Sequence, residues 1–181
     1  GLSSTVNVYQ KGNLKKISSN PKEVSLGYLY FLTTAYLGMK PNEHEFKLMG
    51  MAPYADQIQV RRLFNDLKKH IWISSYGKFE TSCPTYDLLP KLYKIYAFER
   101  FDVISGAIQK LTEHLLCEWV TYWTDLEKIN LVALSGGICM NVKAVKKVSE
   151  LKNIKDIFIM PSASDESLPF GSIWLANSSI N

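Results

Sequence analysis

Two short stretches near the carboxyl end of the chain carry residues that could do chemistry. The first is "LSGGICMN", residues 134–141, where Gly136 and Gly137 follow the apolar run "INLVAL" and precede an amphipathic run. This order predicts a strand, a turn and a helix start. Glycines let backbone N–H groups approach a phosphate, and the positive end of a helix favours the anion. Asn141 would offer its amide to a phosphate or ribose. The alternative is that the glycine pair only makes a tight turn.

The second stretch is "PSASDES", residues 161–167, which follows the apolar run "DIFIMP". Proteins of the α/β class bind ligands at the carboxyl ends of their strands, so the two strand ends are expected to face one crevice. Asp165 could bind a metal or act as a general base. Alternatively, Asp165 is the N-cap of a helix that begins near Ser167.

A third stretch, "HEFKLMGMAPY", lies at residues 44–54. Lys47 could point at an anionic ligand, and Gly50 would allow its close approach to the backbone. The alternative is an exposed helix start. The three histidines have no metal-ligand spacing and are interpreted as structural. The glycine pair fits neither a Walker loop nor a G-x-G-x-x-G turn, which disfavours those nucleotide folds.

The elements that must position these stretches are predicted from hydrophobic periodicity. Two alternating runs around Lys11-Gly12-Asn13 predict a hairpin, and an apolar helix is expected from Ser25 as N-cap to Gly38. Helical spacing of apolar residues predicts one long helix over residues 101–126. The order from there is helix, strand, helix, strand, helix. This order predicts an α/β fold built as one piece.

The composition narrows the class of protein. With 181 residues, 46% hydrophobic and 21% charged, the chain is typical of a soluble globular domain. Cys83, Cys117 and Cys139 have no paired spacing, which indicates reduced thiols in a cytoplasmic setting rather than a zinc site. A net charge of +4 with scattered lysines gives little support for nucleic-acid binding. No apolar run reaches the ~20 residues of a membrane span, so no membrane partner is expected.

The combination of motifs resembles the O-carbamoyltransferases, the group that includes the nodulation, tobramycin and cephamycin carbamoyltransferases. The likeness rests on "E-x-K-x-M-G-x-A-P-Y", "S-G-G-x-x-x-N" and "P-x-x-x-D" taken together and in this order. It extends over four segments, which are residues 25–55, 101–116, 134–148 and 157–176. Residues 56–99 are interpreted as a variable insertion.

The resemblance implies a fold and a reaction. The fold is one lobe of an actin, sugar-kinase and heat-shock-ATPase-like (ribonuclease H-like) domain, similar to that of the threonylcarbamoyl-tRNA synthesis enzymes. In the family a companion domain makes carbamoyl-adenylate from carbamoyl phosphate and ATP, and this domain transfers the carbamoyl group to an acceptor hydroxyl. By position, Asp165 matches the aspartate that binds iron or a similar divalent metal. Gly136, Gly137 and Asn141 match the nucleotide-binding turn.

The chain also departs from the family pattern. The paired histidines and the Asp-Gly turn that open the family's domain are absent, as is the adenylating domain. We therefore expect residues 1–181 to be a single lobe, the C-terminal part of the transferase domain, and inactive alone. Its expected partners are the missing first lobe, the adenylating domain, carbamoyl phosphate and a small-molecule or saccharide acceptor. The alternative is a non-catalytic nucleotide-binding module with a regulatory or assembly role.

Overall fold

The computed structural model describes residues 1–180, with side chains described up to Asn177. The strands of this part are β1 Leu2–Gln10, β2 Asn13–Pro21, β3 Ile71–Ile73, β4 Phe79–Thr81, β5 Leu131–Leu134 and β6 Asp156–Ile159. The α-helices are α1 Leu26–Tyr36, α2 Glu45–Met51, α3 Gln57–Leu67, α4 Leu89–Ile95, α5 Phe101–Glu127, α6 Val142–Ser149 and α7 Leu168–Ile180. None of these described helices is long and apolar enough to span a membrane.

The chain begins with the expected hairpin. Strand β1 pairs antiparallel with β2, and Gln10 lies opposite Asn13. Lys11 and Gly12 form the two-residue turn with φ angles of 50° and 83°. Two successive positive φ values match the twist of a tight hairpin, which is why the Lys-Gly pair at this position signals the turn.

The main hydrophobic core surrounds the long helix α5. Its apolar stripe is fully buried at Ala107, Ile108 and Leu111. Helices α1, α2 and α3 pack on this stripe. Burying a side chain of the size of leucine contributes roughly 1.5–3 kcal/mol, so these contacts dominate the stability of this part of the chain. The expected start of α1 is confirmed, because the Ser25 hydroxyl accepts a hydrogen bond of 3.1 Å from the Tyr28 N–H.

The stretch 56–99 belongs to the same packed body. Leu63 and Leu67 of α3 and Leu92 of α4 are buried in the core around α5. Gly106 of α5 permits this packing, because a Cβ atom there would lie 2.6 Å from Val60 Cγ2. A larger residue would therefore push α3 away from α5.

The C-terminal part is a strand–helix–strand unit that α7 follows. Strand β5 pairs parallel with β6 in the register Leu131 to Asp156 and Leu134 to Ile159. Helix α6 connects the two strands and packs on α5. The prediction of an α/β fold is confirmed at this level. The described strands form three separate two-stranded sheets.

Candidate functional site

The glycine turn and the 161–167 loop meet at the carboxyl ends of β5 and β6. The Gly136 N–H donates a hydrogen bond of 2.5 Å to the Ala163 carbonyl. The Ser135 hydroxyl donates a longer bond of 3.4 Å to the same oxygen. Because β5 and β6 are parallel neighbours, their ends must lie side by side, as the order of the elements predicts.

The backbone at the glycine pair leaves space for a ligand. Gly136 has φ 111° and ψ 158°, a conformation that side chains other than hydrogen rarely allow. No heavy atom lies within 4 Å of a Cβ placed on Gly136, and on Gly137 only the Ser164 hydroxyl oxygen comes as near as 3.9 Å. The N–H groups of Gly137 and Ile138 begin a 3-10 turn and have no partner outside it among the described residues. These two donors are the ones available to an anion.

Asn141 connects the glycine turn to α6 and α5 through hydrogen bonds of its side chain. Its side-chain oxygen accepts a 3.0 Å bond from the Ala144 N–H, so Asn141 is the N-cap of α6. The same side chain exchanges two hydrogen bonds with Gln109 of α5, at 2.8 and 3.0 Å. Asn141 is 9% exposed. Its amide is thus committed to the protein, and a direct contact with phosphate or ribose stays a prediction.

Gln109 is the buried centre of a polar network. Its oxygen also accepts a 3.2 Å bond from the Tyr30 hydroxyl, and its nitrogen donates a 2.8 Å bond to Glu113. With the two bonds to Asn141, both donors and both acceptor sites of the amide are used. Burial raises the pKa of Tyr30, with further increases from the charges of Glu45 and Glu113. The tyrosine therefore stays protonated and donates.

Asp165 lies exposed at the rim of the same loop, in the 3-10 turn Asp165–Ser167. Its carboxylate accepts no hydrogen bond from the part of the chain that the structure describes. The Ser167 N–H and hydroxyl both donate to the Ser164 carbonyl, at 3.0 and 2.8 Å. The alternative interpretation of Asp165 as a helix cap is therefore wrong, because the backbone of Ser164 holds the turn.

The described side chains do not complete a metal site. Among them, up to Asn177, no three His, Cys, Asp or Glu residues converge in a way that could hold a metal ion. Asp165 supplies one exposed carboxylate, which by itself does not fit iron or a similar divalent transition metal, since protein sites for such ions typically combine three or more protein ligands.

Lys47 and Gly50 lie on another part of the surface. Both are exposed on α2, which packs on α1 and α5. The Lys47 ammonium group lies 5.9 Å from the centre of the Phe46 ring. Among the described residues no hydrogen bond, ion pair or ring contact joins Lys47 to the glycine turn, so the structure does not bring these two predicted parts of the site together.

Cys139 lies inside the glycine turn but does not act as a nucleophile. Its Sγ atom donates a 3.4 Å hydrogen bond to the Ser135 carbonyl. Burial raises the pKa of the thiol to about 11. Because the thiolate is the reactive form, Cys139 is inert near neutral pH.

Comparison with known proteins gives the family. Residues 3–173 match the family described as the carbamoyltransferase N-terminus. The chain belongs to this carbamoyltransferase family. The nodulation protein NolNO of Sinorhizobium fredii is 25% identical over 162 residues, which cover 88% of this chain and 24% of that protein. The nodulation protein NolO of Bradyrhizobium diazoefficiens is 23% identical over 175 residues, covering 92% of this chain and 31% of that protein.

An archaeal protein shows a similar relationship. The uncharacterized protein MJ1051 of Methanocaldococcus jannaschii is 26% identical over 177 residues, covering 95% of this chain and 34% of that protein. The chain therefore spans about a quarter to a third of the length of these curated relatives. The resemblance to carbamoyltransferases that the sequence motifs indicate is confirmed.

Sequence reasoning about this carbamoyltransferase-family chain missed Gln109 and Glu113. One signal pointed to them: a glutamine on the buried stripe of α5, with a glutamate one helical turn later. Residues four apart share a helix face, so the pair indicates a polar site within an apolar surface. The partner, Asn141, lies 32 residues further along the chain, and no local pattern indicates that the two side chains meet.

Proposed function

We propose that this chain is the nucleotide-facing lobe of an O-carbamoyltransferase. In this proposal the parent enzyme transfers a carbamoyl group from carbamoyl-adenylate, made from carbamoyl phosphate and ATP, to an acceptor hydroxyl. The lobe has the fold of one half of an actin-like, ribonuclease H-like domain. Membership of the carbamoyltransferase family supports the reaction class. The observation that carries the proposal is the hydrogen bond from Gly136 to Ala163, which joins the glycine turn to the loop of Asp165.

The glycine turn would hold the adenylate phosphate. Two N–H groups, at Gly137 and Ile138, are available beside the open space over the glycine pair. The start of α6 follows within the same turn and adds the positive end of its dipole. The N–H groups of Gly137 and Ile138 are oriented before a ligand binds, because Asn141, at the end of the same turn, is hydrogen-bonded to both α6 and Gln109. Preorganised backbone donors stabilise developing negative charge without reorganisation during the reaction.

The chemical demand on this lobe is positioning. A carbamoyl carbon is a poor electrophile, and adenylation supplies the leaving group before the transfer. The lobe would then hold the adenylate still while the acceptor hydroxyl approaches, and such alignment lowers the barrier for a reaction between two bound groups. The acceptor would be a saccharide or another small molecule with a free hydroxyl. Lys47 and Gly50 are proposed to contact the anionic part of the ligand once the rest of the parent is present.

The proposal includes a divalent metal, iron or similar. When bound, such a metal would polarise a carbonyl or phosphoryl oxygen of the ligand. In this chain Asp165 would contribute one ligand, and other ligands would come from the first lobe. The described residues alone do not fit such a metal, because no three ligating side chains among them converge. Because the other metal ligands are missing, we expect that the isolated 181 residues do not catalyse a reaction of carbamoyl phosphate with ATP.

A second candidate function is a nucleotide-binding module that does no chemistry. The open glycine turn with its two available N–H groups would serve this function equally well. The two functions differ in one measurement, which is carbamoyl transfer by the full-length parent. A module would bind nucleotide through the glycine turn and transfer nothing.

The experiment that tests the proposal replaces Gly136 by alanine in the full-length parent. Alanine is strained at a φ of 111°, so the turn must change its shape. We expect carbamoyl transfer to fall at least tenfold while the thermal unfolding temperature changes little. The matched control is Gly171→Ala on α7, where a Cβ meets no atom within 4 Å and φ is ordinary. Equal activity of the two variants would contradict the role of the turn.

A further inference from the structure

A cluster of a serine, a histidine and a lysine lies at the surface where α3, β4 and α4 meet. Ser82 follows β4, His70 follows α3, and Lys91 lies on α4. The Ser82 hydroxyl oxygen lies 2.8 Å from Nδ1 of His70 and accepts a 3.2 Å hydrogen bond from the Lys91 ammonium group. One hydroxyl thus lies between a base and a cation. None of these three residues belongs to the site proposed above.

The backbone holds the serine and the histidine side by side. The Ser82 N–H donates a 3.1 Å hydrogen bond to the His70 carbonyl, which extends the antiparallel pairing of β3 and β4 by one residue pair. Residues next to the cluster are anchored in the core, because Leu67, Ile71 and Leu92 are fully buried. A nucleophile and a base that are already aligned in this way have a lower barrier to reaction.

The chemistry of the two partners gives the direction of the hydrogen bonds. An ammonium group only donates, so the Ser82 oxygen is the acceptor towards Lys91. A neutral imidazole keeps a lone pair on one of its two ring nitrogens. With that lone pair on Nδ1, the Ser82 hydroxyl donates to His70. The hydroxyl proton then already points at the group that would accept it during a reaction.

The surroundings of His70 keep its ring mainly neutral at pH 7. Burial is the largest cause that lowers its pKa below the ordinary value of 6.5, and the charges of Lys91 and Lys69 lower it further. Asp66 raises the pKa, but its carboxylate also pairs with Lys69 at 2.6 Å. The imidazole can therefore act as a base at neutral pH. The charge of Lys91 also favours the negative oxygen that forms when Ser82 loses its proton.

Other hydroxyls of the chain have structural partners. Ser105 and Thr112 on α5 donate to backbone carbonyls one helical turn earlier. Among the hydroxyls of the residues that the structure describes, Ser82 alone bonds to both an imidazole and an ammonium group. It is exposed, and His70 and Lys91 are half-buried beside it. Water alone could satisfy an exposed hydroxyl, so the two basic partners point to a chemical role.

We propose that Ser82 is a nucleophile that accepts an acyl group from an activated ester, with His70 as general base and Lys91 as the cation that stabilises the alkoxide. A lone pair of the Ser82 oxygen attacks the carbonyl carbon, and the hydroxyl proton moves to Nδ1 of His70. The bond from that carbon to the leaving group breaks, and the leaving group departs as an anion. The products are an acyl ester on Ser82 and a protonated imidazole, which returns its proton to water. This activity does not depend on the function proposed above.

The test is the reaction of the 181-residue chain with p-nitrophenyl acetate, followed by release of p-nitrophenolate and by mass mapping of peptides. We expect a burst of p-nitrophenolate and an acetyl group on Ser82. Neutral hydroxylamine should remove this group, because it cleaves an ester and leaves the amide of an acetylated lysine intact. The matched internal control is Ser75, an exposed serine of the same hairpin without a histidine partner. Labelling of lysines alone, or equal labelling of Ser82 and Ser75, would overturn the proposal.

The pH dependence of the reaction distinguishes a base from a structural partner. The charged groups that face the ring of His70 are Lys91 on α4, Asp66 on α3 and Lys69 just after α3. Because only the neutral ring accepts a proton, the rate of ester formation at Ser82 should rise with pH and reach half its maximum below pH 6.5. A midpoint above pH 6.5, or an unchanged profile in His70→Gln, would overturn the proposal.

Variants separate the contributions of the three side chains. Ser82→Ala should abolish the burst, and His70→Gln should slow it by about tenfold or more. Lys91→Gln should slow it roughly threefold, the size expected for one partly exposed charge, and Lys91→Arg should restore most of the rate. Lys94→Gln, which removes the same charge from an exposed position of α4, should change the rate less than about twofold. A wild-type burst in Ser82→Ala, or equal effects of Lys91→Gln and Lys94→Gln, would overturn the proposal.

Discussion

The helical region around α5 and the C-terminal unit of β5, α6, β6 and α7 differ in how they bury apolar side chains. In the first, Leu67, Leu92 and Leu111 are fully buried. In the second, Phe158 of β6 and Trp174 of α7 are 60% and 66% exposed. Yet the second region carries the glycine turn and the loop of Asp165. The candidate site thus lies in a region where β6 and α7 leave large apolar side chains exposed.

This difference shows that the second region leaves apolar faces exposed that are normally covered in globular proteins. Parallel strands normally have both faces covered, and a helix that is apolar all round is normally buried. The exposed apolar side chains of helix α7 are Leu168, Phe170, Ile173, Trp174 and Leu175. Among the described residues, β5 and β6 form a sheet of only two strands. A two-stranded sheet is marginal without further packing. Under the proposed function, the rest of the parent enzyme covers these faces and thereby fixes the turn that holds the nucleotide.

The largest expected effect distinguishes the two regions directly. Leu111→Ala removes a fully buried side chain from the core around α5 and should cost about 2–5 kcal/mol of unfolding free energy. Phe158→Ala removes an exposed ring and should cost less than about 0.5 kcal/mol in the isolated chain. Urea unfolding measures both. Similar losses in the two variants would show that the faces of β6 are covered after all.

A loss of stability of intermediate size is expected when the hydrogen bonds between Asn141 of the C-terminal unit and Gln109 of α5 are removed. Asn141→Ala removes the cap of α6 and leaves the buried Gln109 amide without two partners, so we expect a loss of about 2–3 kcal/mol. Ser25→Ala removes a cap that has no second partner and should cost about 1 kcal/mol. If Asn141→Ala costs no more than Ser25→Ala, the pairing of α5 with α6 does not contribute to stability.

How much of this could be predicted from the sequence depends on distance along the chain. The hairpin, the cap at Ser25, the long α5 and the order of β5, α6 and β6 follow from local periodicity and turn residues, and each is confirmed. The meeting of the two strand ends follows from parallel pairing. The network of Gln109 could not be predicted, because a contact across 32 residues has no local signature. The separation of Lys47 from the glycine turn likewise depends on tertiary packing.

The smallest expected effect concerns pH and the start of α5. The hydrogen bond from Arg100 is the largest cause that holds the pKa of Asp102 below its usual range. A carboxyl whose pKa is lower in the folded state stabilises the fold above its unfolded pKa of about 4 and loses this as the pH falls further. Asp102→Asn should therefore lower the thermal unfolding temperature at pH 7, with the difference from wild type shrinking below about pH 4.

The matched control for this prediction is Asp87→Asn, which changes an exposed aspartate whose carboxylate makes no hydrogen bond or ion pair with the described residues. Its unfolding temperature should follow that of wild type across the whole range. A constant difference between Asp102→Asn and wild type from pH 7 to pH 2 would mean that the ion pair with Arg100 does not cause the effect.

The most direct test of the central claim is the rate of carbamoyl transfer by the full-length parent enzyme with Asp165→Ala. Asp165 is exposed beside the glycine turn and accepts no hydrogen bond from the described residues, so its removal should leave folding unchanged. We predict a loss on the order of 100-fold, the size expected when one group that stabilises a transition state is removed. Glu166→Ala, which removes the neighbouring exposed carboxylate, should retain activity. Wild-type rates in both variants would contradict the account.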